Sequence, residues 1–217
     1  MNYVVTFSLA AMIVAMRREF SLKVKGHEKK ITIGLLLSCI LLAALAGLRA
    51  ELIGTDIKTY VLYTFTKVQK FSVFSEVIEY VQFELFYEML AYIVSRFTND
   101  VHWFHFATEM IICGGTIIFI SKFKDKAWMA LSLLCFCFLY YNQTLNLMRQ
   151  WIAMGICMIA YRYMVDKKWV PCLFFASLSV LFHSSAVIAF VVIAIYILLE
   201  NGKFDTRRIL LIVGCLS

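Results

Sequence analysis

Long apolar runs, separated only by short polar and basic clusters, recur along the whole chain. The stretch 31–48 has no charged side chain at all. Backbone polar groups in such a run need hydrogen-bond partners that hydrocarbon cannot supply, and an α-helix provides them within one segment. Hydrophobic types make up 62% of the 217 residues and charged types 16%. Soluble domains run at about 45–50% and about 25%. A soluble core of this size has no room for so many apolar side chains, whereas a bilayer has. The expected fold is all-α, a polytopic integral membrane protein forming a single membrane domain over 1–217.

The net charge of +7 sits in clusters between apolar runs. That is the distribution of a membrane protein with basic cytoplasmic loops rather than of a nucleic-acid binder. Residues 1–16 read as an uncleaved first span with its N-terminus outside, because the basic cluster 17–30 follows the run instead of preceding it. Further spans read as 31–48, 103–121, 127–143, 149–165, 168–183 and 184–199. Another begins near Ile209. Its nine residues reach only about 13 Å against a hydrocarbon core of about 30 Å, so the natural protein is expected to continue.

The stretch 49–102 is mixed. Gly54, Thr55 and Asp56 form a turn with a helix cap. In 57–70 the residues Ile57, Tyr60, Val61, Phe65 and Val68 share one face, while Lys58, Lys67, Gln69 and Lys70 share another, as in a helix lying in the membrane interface. Residues 84–97 are apolar but carry Glu84, Glu88 and Arg96, each costing about 2.5–3.5 kcal/mol near mid-membrane. If 84–97 does not cross, the basic stretches 17–30, 122–126, 162–168 and 200–208 all face the cytoplasm and hold most of the Lys and Arg. On that arrangement 49–102 is an external segment of amphipathic helices. Residues 168–199 then form two short helices broken at His183-Ser184-Ser185.

This sidedness gathers polar residues at the outer face. Arg49 ends the second span, Asp56 follows the glycine turn, and Glu84 and Glu88 stand one helical turn apart. Asn142, Asn146, Arg149 and Gln150 occupy the junction between two spans, and His183 sits at the last hairpin tip. If the junction is helical, Asn142, Asn146 and Arg149 share a face able to bind a phosphate or sugar hydroxyls. Membrane anchoring and helix capping compete with that reading. His102, His105 and Glu109 have a spacing that could hold a metal, without a recognised zinc pattern; Trp103 and Phe104 suggest an aromatic belt. All seven cysteines, from Cys39 to Cys215, lie in apolar runs and read as packing residues. No P-loop, GxSxG, GxGxxG or HExxH is present, so a nucleotide-driven enzyme is unsupported.

Four motifs in order carry a family resemblance. They are Leu48-Arg49 followed by Gly54-Thr55-Asp56 and Tyr60; Glu84 with Tyr87 and Leu90; Asn146-Leu147-Met148-Arg149-Gln150-Trp151-Ile152-Ala153; and Leu181-Phe182-His183-Ser184-Ser185-Ala186. Together they resemble the EpsG-like family of bacterial exopolysaccharide polymerases, related to Wzy-type O-antigen polymerases. The resemblance implies a GT-C-like helical bundle of about eight to nine transmembrane segments in the bacterial cytoplasmic membrane, with its active site facing outside. It implies a glycosyltransferase that polymerises oligosaccharide repeat units carried on undecaprenyl diphosphate. Flippase and chain-length regulator proteins are the implied partners beside the bilayer; nucleic acid is not.

On this resemblance Arg49 and Arg149 bind the departing diphosphate. Asp56, Glu84 and His183 are the catalytic candidates, with a carboxylate favoured as base and His183 on phosphate or acceptor. Tyr60, Asn146 and Gln150 bind substrate. The activated donor makes cofactor and metal unnecessary in principle. Two other readings compete: a membrane O-acyltransferase acting on surface glycans, and a lipid-linked glycan flippase or assembly scaffold.

Overall fold

The computed structural model describes residues 2–16, 20–24, 27–31, 33–49, 57–123 and 125–200. Asp56, the turn it was read in, the stretch 200–208 expected to be cytoplasmic (beyond Glu200), the short segment from Ile209 and Cys215 lie outside these residues.

The apolar runs form helices almost where hydropathy puts them. Helix α1 covers Asn2–Ala15 and α2 covers Ile33–Gly47. Helices α6 (Val101–Ile120), α7 (Lys126–Leu139), α9 (Met148–Val165), α10 (Trp169–Phe182) and α11 (Ile188–Glu200) follow the later runs. Among the described residues only α6, at 20 residues, is both long and apolar enough to cross a bilayer. The single proline, Pro171, falls in the first turn of α10, where its missing N–H has no helical acceptor to lose.

Caps explain several boundaries. Asp100 accepts from the His102 N–H at the start of α6, and Asp125 from those of Ala127 and Trp128 at the start of α7. Helix α9 ends in a tight left-handed cap. The Lys168 N–H reaches the Tyr163 carbonyl and the Lys167 N–H that of Met164. Lys167 has φ 57° there, a conformation that usually selects glycine.

The basic stretch 17–30, read as a loop, contains a hairpin. Strands β1 (Phe20–Val24) and β2 (His27–Ile31) pair antiparallel, with Phe20 opposite Ile31 and Val24 opposite His27. The alternation Phe20-Ser21-Leu22-Lys23-Val24 is a strand period that the charges obscured. The rest of the described chain is helices joined by short turns.

The segment expected to lie outside is, over its described residues, a chain of short helices. A π-helical turn at Ile57–Leu62 runs into α3 (Tyr63–Gln69), followed by α4 (Phe74–Glu79) and α5 (Leu85–Ser95). The apolar stripe read in 57–70 is real, since Ile57, Val61, Phe65 and Val68 are all buried. It faces protein instead of lipid: Phe65 stacks on Phe104 of α6 at 5.5 Å, and α3 packs along α5. Helix α5 has 11 residues, about 16 Å, too short to cross.

The longer helices pack in the order α10, α9, α6, α2, α1, with α7 against α1. Helices α6 and α9 meet backbone to backbone. A Cβ at Gly115 would stand 1.9 Å from the Gly155 carbonyl oxygen, and one at Gly155 2.8 Å from Ile112 Cα. Small residues permit such crossings, which dispersion then stabilises. Much of the exterior stays apolar, including exposed Leu36, Trp128, Phe138, Phe174 and Ile188.

Gly115→Ala is therefore expected to force α6 and α9 apart and destabilise the protein by at least about 1–3 kcal/mol. Gly114→Ala, whose Cβ would meet only Cys39 Sγ at 3.7 Å, is expected to be tolerated. Thermal midpoints of both variants in detergent check this.

Candidate functional site

Two side chains far away in sequence converge on one carboxylate, that of Glu84. Glu84 Oε2 accepts from Arg149 Nη1 at 2.8 Å across 65 residues. Glu84 Oε1 lies 2.5 Å from His183 Nδ1 across 99 residues. Arg149, Glu84 and His183 are each about one-fifth exposed, so the cluster is sheltered and still reachable.

The turn before α5 aims Glu84. It is the N-cap residue of α5, and its carbonyl accepts from the Tyr87 and Glu88 amides, yet its carboxylate does no capping. Glu88, one turn on and fully buried, holds the approach instead. Its Oε1 accepts the amides of Gln82 at 2.8 Å and Phe83 at 2.9 Å, while Oε2 pairs with Lys67 Nζ at 2.9 Å. The same ammonium also donates to the Tyr80 carbonyl. Tyr80 through Phe83 are thus pinned, leaving the Glu84 carboxylate to point elsewhere. Glu88 and Lys67 escaped the sequence reading as a pair, because a glutamate on an apolar helix and a lysine on a polar face gave no sign of meeting.

Arg149 stands in the first turn of α9, where a cation opposes the helix dipole, and Leu147 offers no side-chain cap. Its guanidinium is held by other means. Cζ lies 4.4 Å from the Tyr60 ring centre and 4.8 Å from that of Phe83, giving two aromatic faces and one carboxylate. Tyr60, expected at the site, is therefore there; Phe83 was missed, although it precedes Glu84. His183 ends α10 in an extended conformation, and a 3-10 turn at Ser184–Val187 leads into α11. The break read at 183–185 is where the chain turns. Phe182 packs edge-on against Phe86, docking the end of α10 onto α5.

Arg49 does not join the cluster. It is buried, donating from Nη1 to the Leu145 carbonyl at 2.9 Å, with Nη2 2.9 Å from His105 Nδ1 and 3.5 Å from Met148 Sδ. Arginine only donates, so Nδ1 of His105 is the acceptor. Glu109 accepts from Thr144 at 3.0 Å and from Cys113 at 3.2 Å, and Tyr141 donates to the Leu42 carbonyl at 2.6 Å. These bonds grip the joint between α8 (Tyr141–Thr144) and α9, directly before Arg149. The joint is not one continuous helix, so Asn142, Asn146 and Arg149 do not form the helical face considered above. Asn146 donates to the Asn142 carbonyl at 3.0 Å, and Gln150 is exposed. Asp56 falls outside the described residues.

Burial pushes the Glu84 carboxyl upward, but a backbone amide, His183 and Arg149 outweigh it and hold it below the 4.5 of an ordinary glutamate. The ionised form is thus favoured by folding. Its contribution is complete above the ordinary carboxylate range and is lost as pH falls through the lowered folded value. Glu84→Gln is expected to melt below the wild type near pH 7, and the gap is expected to shrink once the pH drops below about 4.5. Melting curves across that range test it; a gap that grows on acidification contradicts it.

No curated protein and no solved structure matches the chain significantly. The family model of the EpsG family matches residues 32–217. With most of its length covered by that match, the chain belongs to the EpsG family.

Proposed function

We propose that this chain is a polytopic membrane polymerase that lengthens glycans carried on undecaprenyl diphosphate at the outer face of the bacterial cytoplasmic membrane. Family membership implies a role in polysaccharide biosynthesis. The observation that carries the finer reading is the meeting of Arg149, Glu84 and His183 on one rim.

The apolar exterior supports a bilayer setting, since soluble monomers rarely expose large contiguous apolar patches. Charge supports the sidedness. Helix α9 starts at the rim with Arg149 and ends about 27 Å away near Asp166, which pairs with Lys122 and Arg162. That far end, with Lys167 and Lys168 beside it, is the basic one and suits the cytoplasm. The GT-C-like architecture rests on the family relation.

The chemistry follows from the donor sets. Arg149 presents five N–H donors, and Glu84 takes one. The remaining donors, with the uncapped amides opening α9, suit the oxygens of a diphosphate. Glu84, ionised, favours the His183 tautomer with its proton on Nδ1, which leaves Nε2 to accept a proton. An acceptor hydroxyl gives its proton to Nε2 as its oxygen bonds to the donor's anomeric carbon. The bond from that carbon to the diphosphate breaks, and lipid diphosphate departs with its charge stabilised by Arg149. Glu84 is the orienting group and His183 the base. Arg49 serves this site through the α8–α9 joint rather than by touching phosphate, and Gln150, exposed one residue beyond Arg149, remains a candidate for the glycan.

Full-length protein in nanodiscs, given lipid-linked repeat units extracted from a polymerase-deficient strain of the source organism, tests the reading. The wild type is expected to make long glycans. Arg149→Ala is expected to lose at least about 100-fold in rate, with Arg149→Lys retaining part, and His183→Ala to lose about 100-fold or more. Normal lengthening by Arg149→Ala contradicts the mechanism. Acyl esters at unchanged glycan length favour the O-acyltransferase reading.

A further inference from the structure

We propose that a cleft beside the Glu84–Arg149–His183 cluster, walled by Tyr63, Phe71 and Tyr80, binds the sugar portion of the glycan. The inference deepens the polymerase reading and rests on it for the identity of the sugar chain.

The cleft has a volume of about 430 Å³, and Lys67 and Gln82 add its polar groups. A second hollow of about 450 Å³ adjoins it, sharing Tyr63, Lys67 and Phe71 and extending to Lys70. Phe83 connects the cleft to the reaction centre. Its ring centre lies 6.4 Å from that of Tyr63 and 5.2 Å from that of Tyr60, and the Arg149 guanidinium sits 4.8 Å from it. A chain lying in the cleft would therefore run directly to the proposed phosphate and base groups.

The lining suits a pyranose. A sugar ring has apolar C–H faces and a hydroxyl edge, so it needs flat rings with donors and acceptors beside them. Tyr63 and Tyr80 are 45% and 55% exposed, leaving ring surface uncovered for stacking. The Gln82 side chain carries both donor and acceptor, and the tyrosine hydroxyls do likewise. The rings line a concavity together with an ammonium and an amide, whereas membrane-anchoring tyrosines face lipid from a convex surface.

The cleft is also held in shape. Lys67 pairs with buried Glu88 and donates to the Tyr80 carbonyl, and Glu88 accepts the Gln82 and Phe83 amides. One ion pair, between fully buried Glu88 and partly exposed Lys67, thus fixes the backbone from Tyr80 to Phe83, which is one wall of the cleft. Burying the Glu88 carboxylate is costly, and fixing an exposed turn before the ligand arrives is a use that offsets the cost.

The test uses the full chain in nanodiscs and oligosaccharides released from the native exopolysaccharide by partial hydrolysis. Tyr63→Ala and Tyr80→Ala are each expected to weaken oligosaccharide binding about tenfold and to raise the acceptor KM with kcat little changed. Tyr63→Phe, which keeps the ring, is expected to bind within about threefold of the wild type. Trp128→Ala, an exposed aromatic of α7, is expected to change nothing. Unchanged oligosaccharide affinity in both alanine variants overturns the proposal. So does equal competition by glycerophosphate, which marks the cleft as a lipid-headgroup site. A wild type that binds sugar through Tyr63 but lengthens no lipid-linked unit overturns the polymerase reading alone.

Discussion

The carboxylate of Glu84 ties together the polar ends of three helices that packing already brings near one another. It bonds to Arg149 at the start of α9 and to His183 at the end of α10, from its own place before α5. Each arrangement is unfavourable by itself. A cation in the first turn opposes the dipole of α9, and a carboxylate at an N-cap forgoes the backbone amides it would normally take. The contact relieves both conflicts at once. Two aromatic faces then fix the guanidinium without neutralising it.

The structure around this contact consists of supports arranged in depth. Glu88 and Lys67 hold the turn that presents Phe83 and Glu84. On the other side, Arg49, Glu109, Thr144 and Tyr141 tie α2 and α6 to the joint from which Arg149 projects. Beneath them the glycine crossing of α6 and α9 sets the distance between the two helices. An arginine at such a joint is better suited to hold a carbonyl and a thioether in place than to reach a mobile lipid. Burial decides its role, and burial depends on the partner helices more than on the residue type.

Hydropathy and charge were sufficient for the helices. The run 31–48 became Ile33–Gly47, and the break expected at His183 is the point where α10 ends. Glu84, Arg149 and His183 were singled out as polar residues at the expected outer face and Tyr60 through the family motif, and the structure brings these four together. What the sequence could not convey was pairing. Arg49 and Arg149 looked alike as arginines at span ends, yet one is enclosed and the other stays partly exposed beside Glu84. Glu88 looked equivalent to Glu84, one turn away, but its side chain turns back to accept the Gln82 and Phe83 amides before the helix. The stripe in 57–70 showed an apolar face without saying whether protein or lipid would cover it. The strand alternation at 20–24 was hidden because its polar positions are the same lysines and serines that mark a loop.

The central claim is that Glu84 and Arg149 act as one unit, and a double-mutant cycle measures it. Unfolding free energies of the wild type, Glu84→Gln, Arg149→Gln and the double variant give the coupling directly, at low salt and near neutral pH. The account predicts a favourable interaction of about 0.5–1 kcal/mol or more, because the pair is partly sheltered and braced by two rings. Strictly additive single variants would show that the carboxylate and the guanidinium do not recognise each other, and the proposed site would lose its foundation.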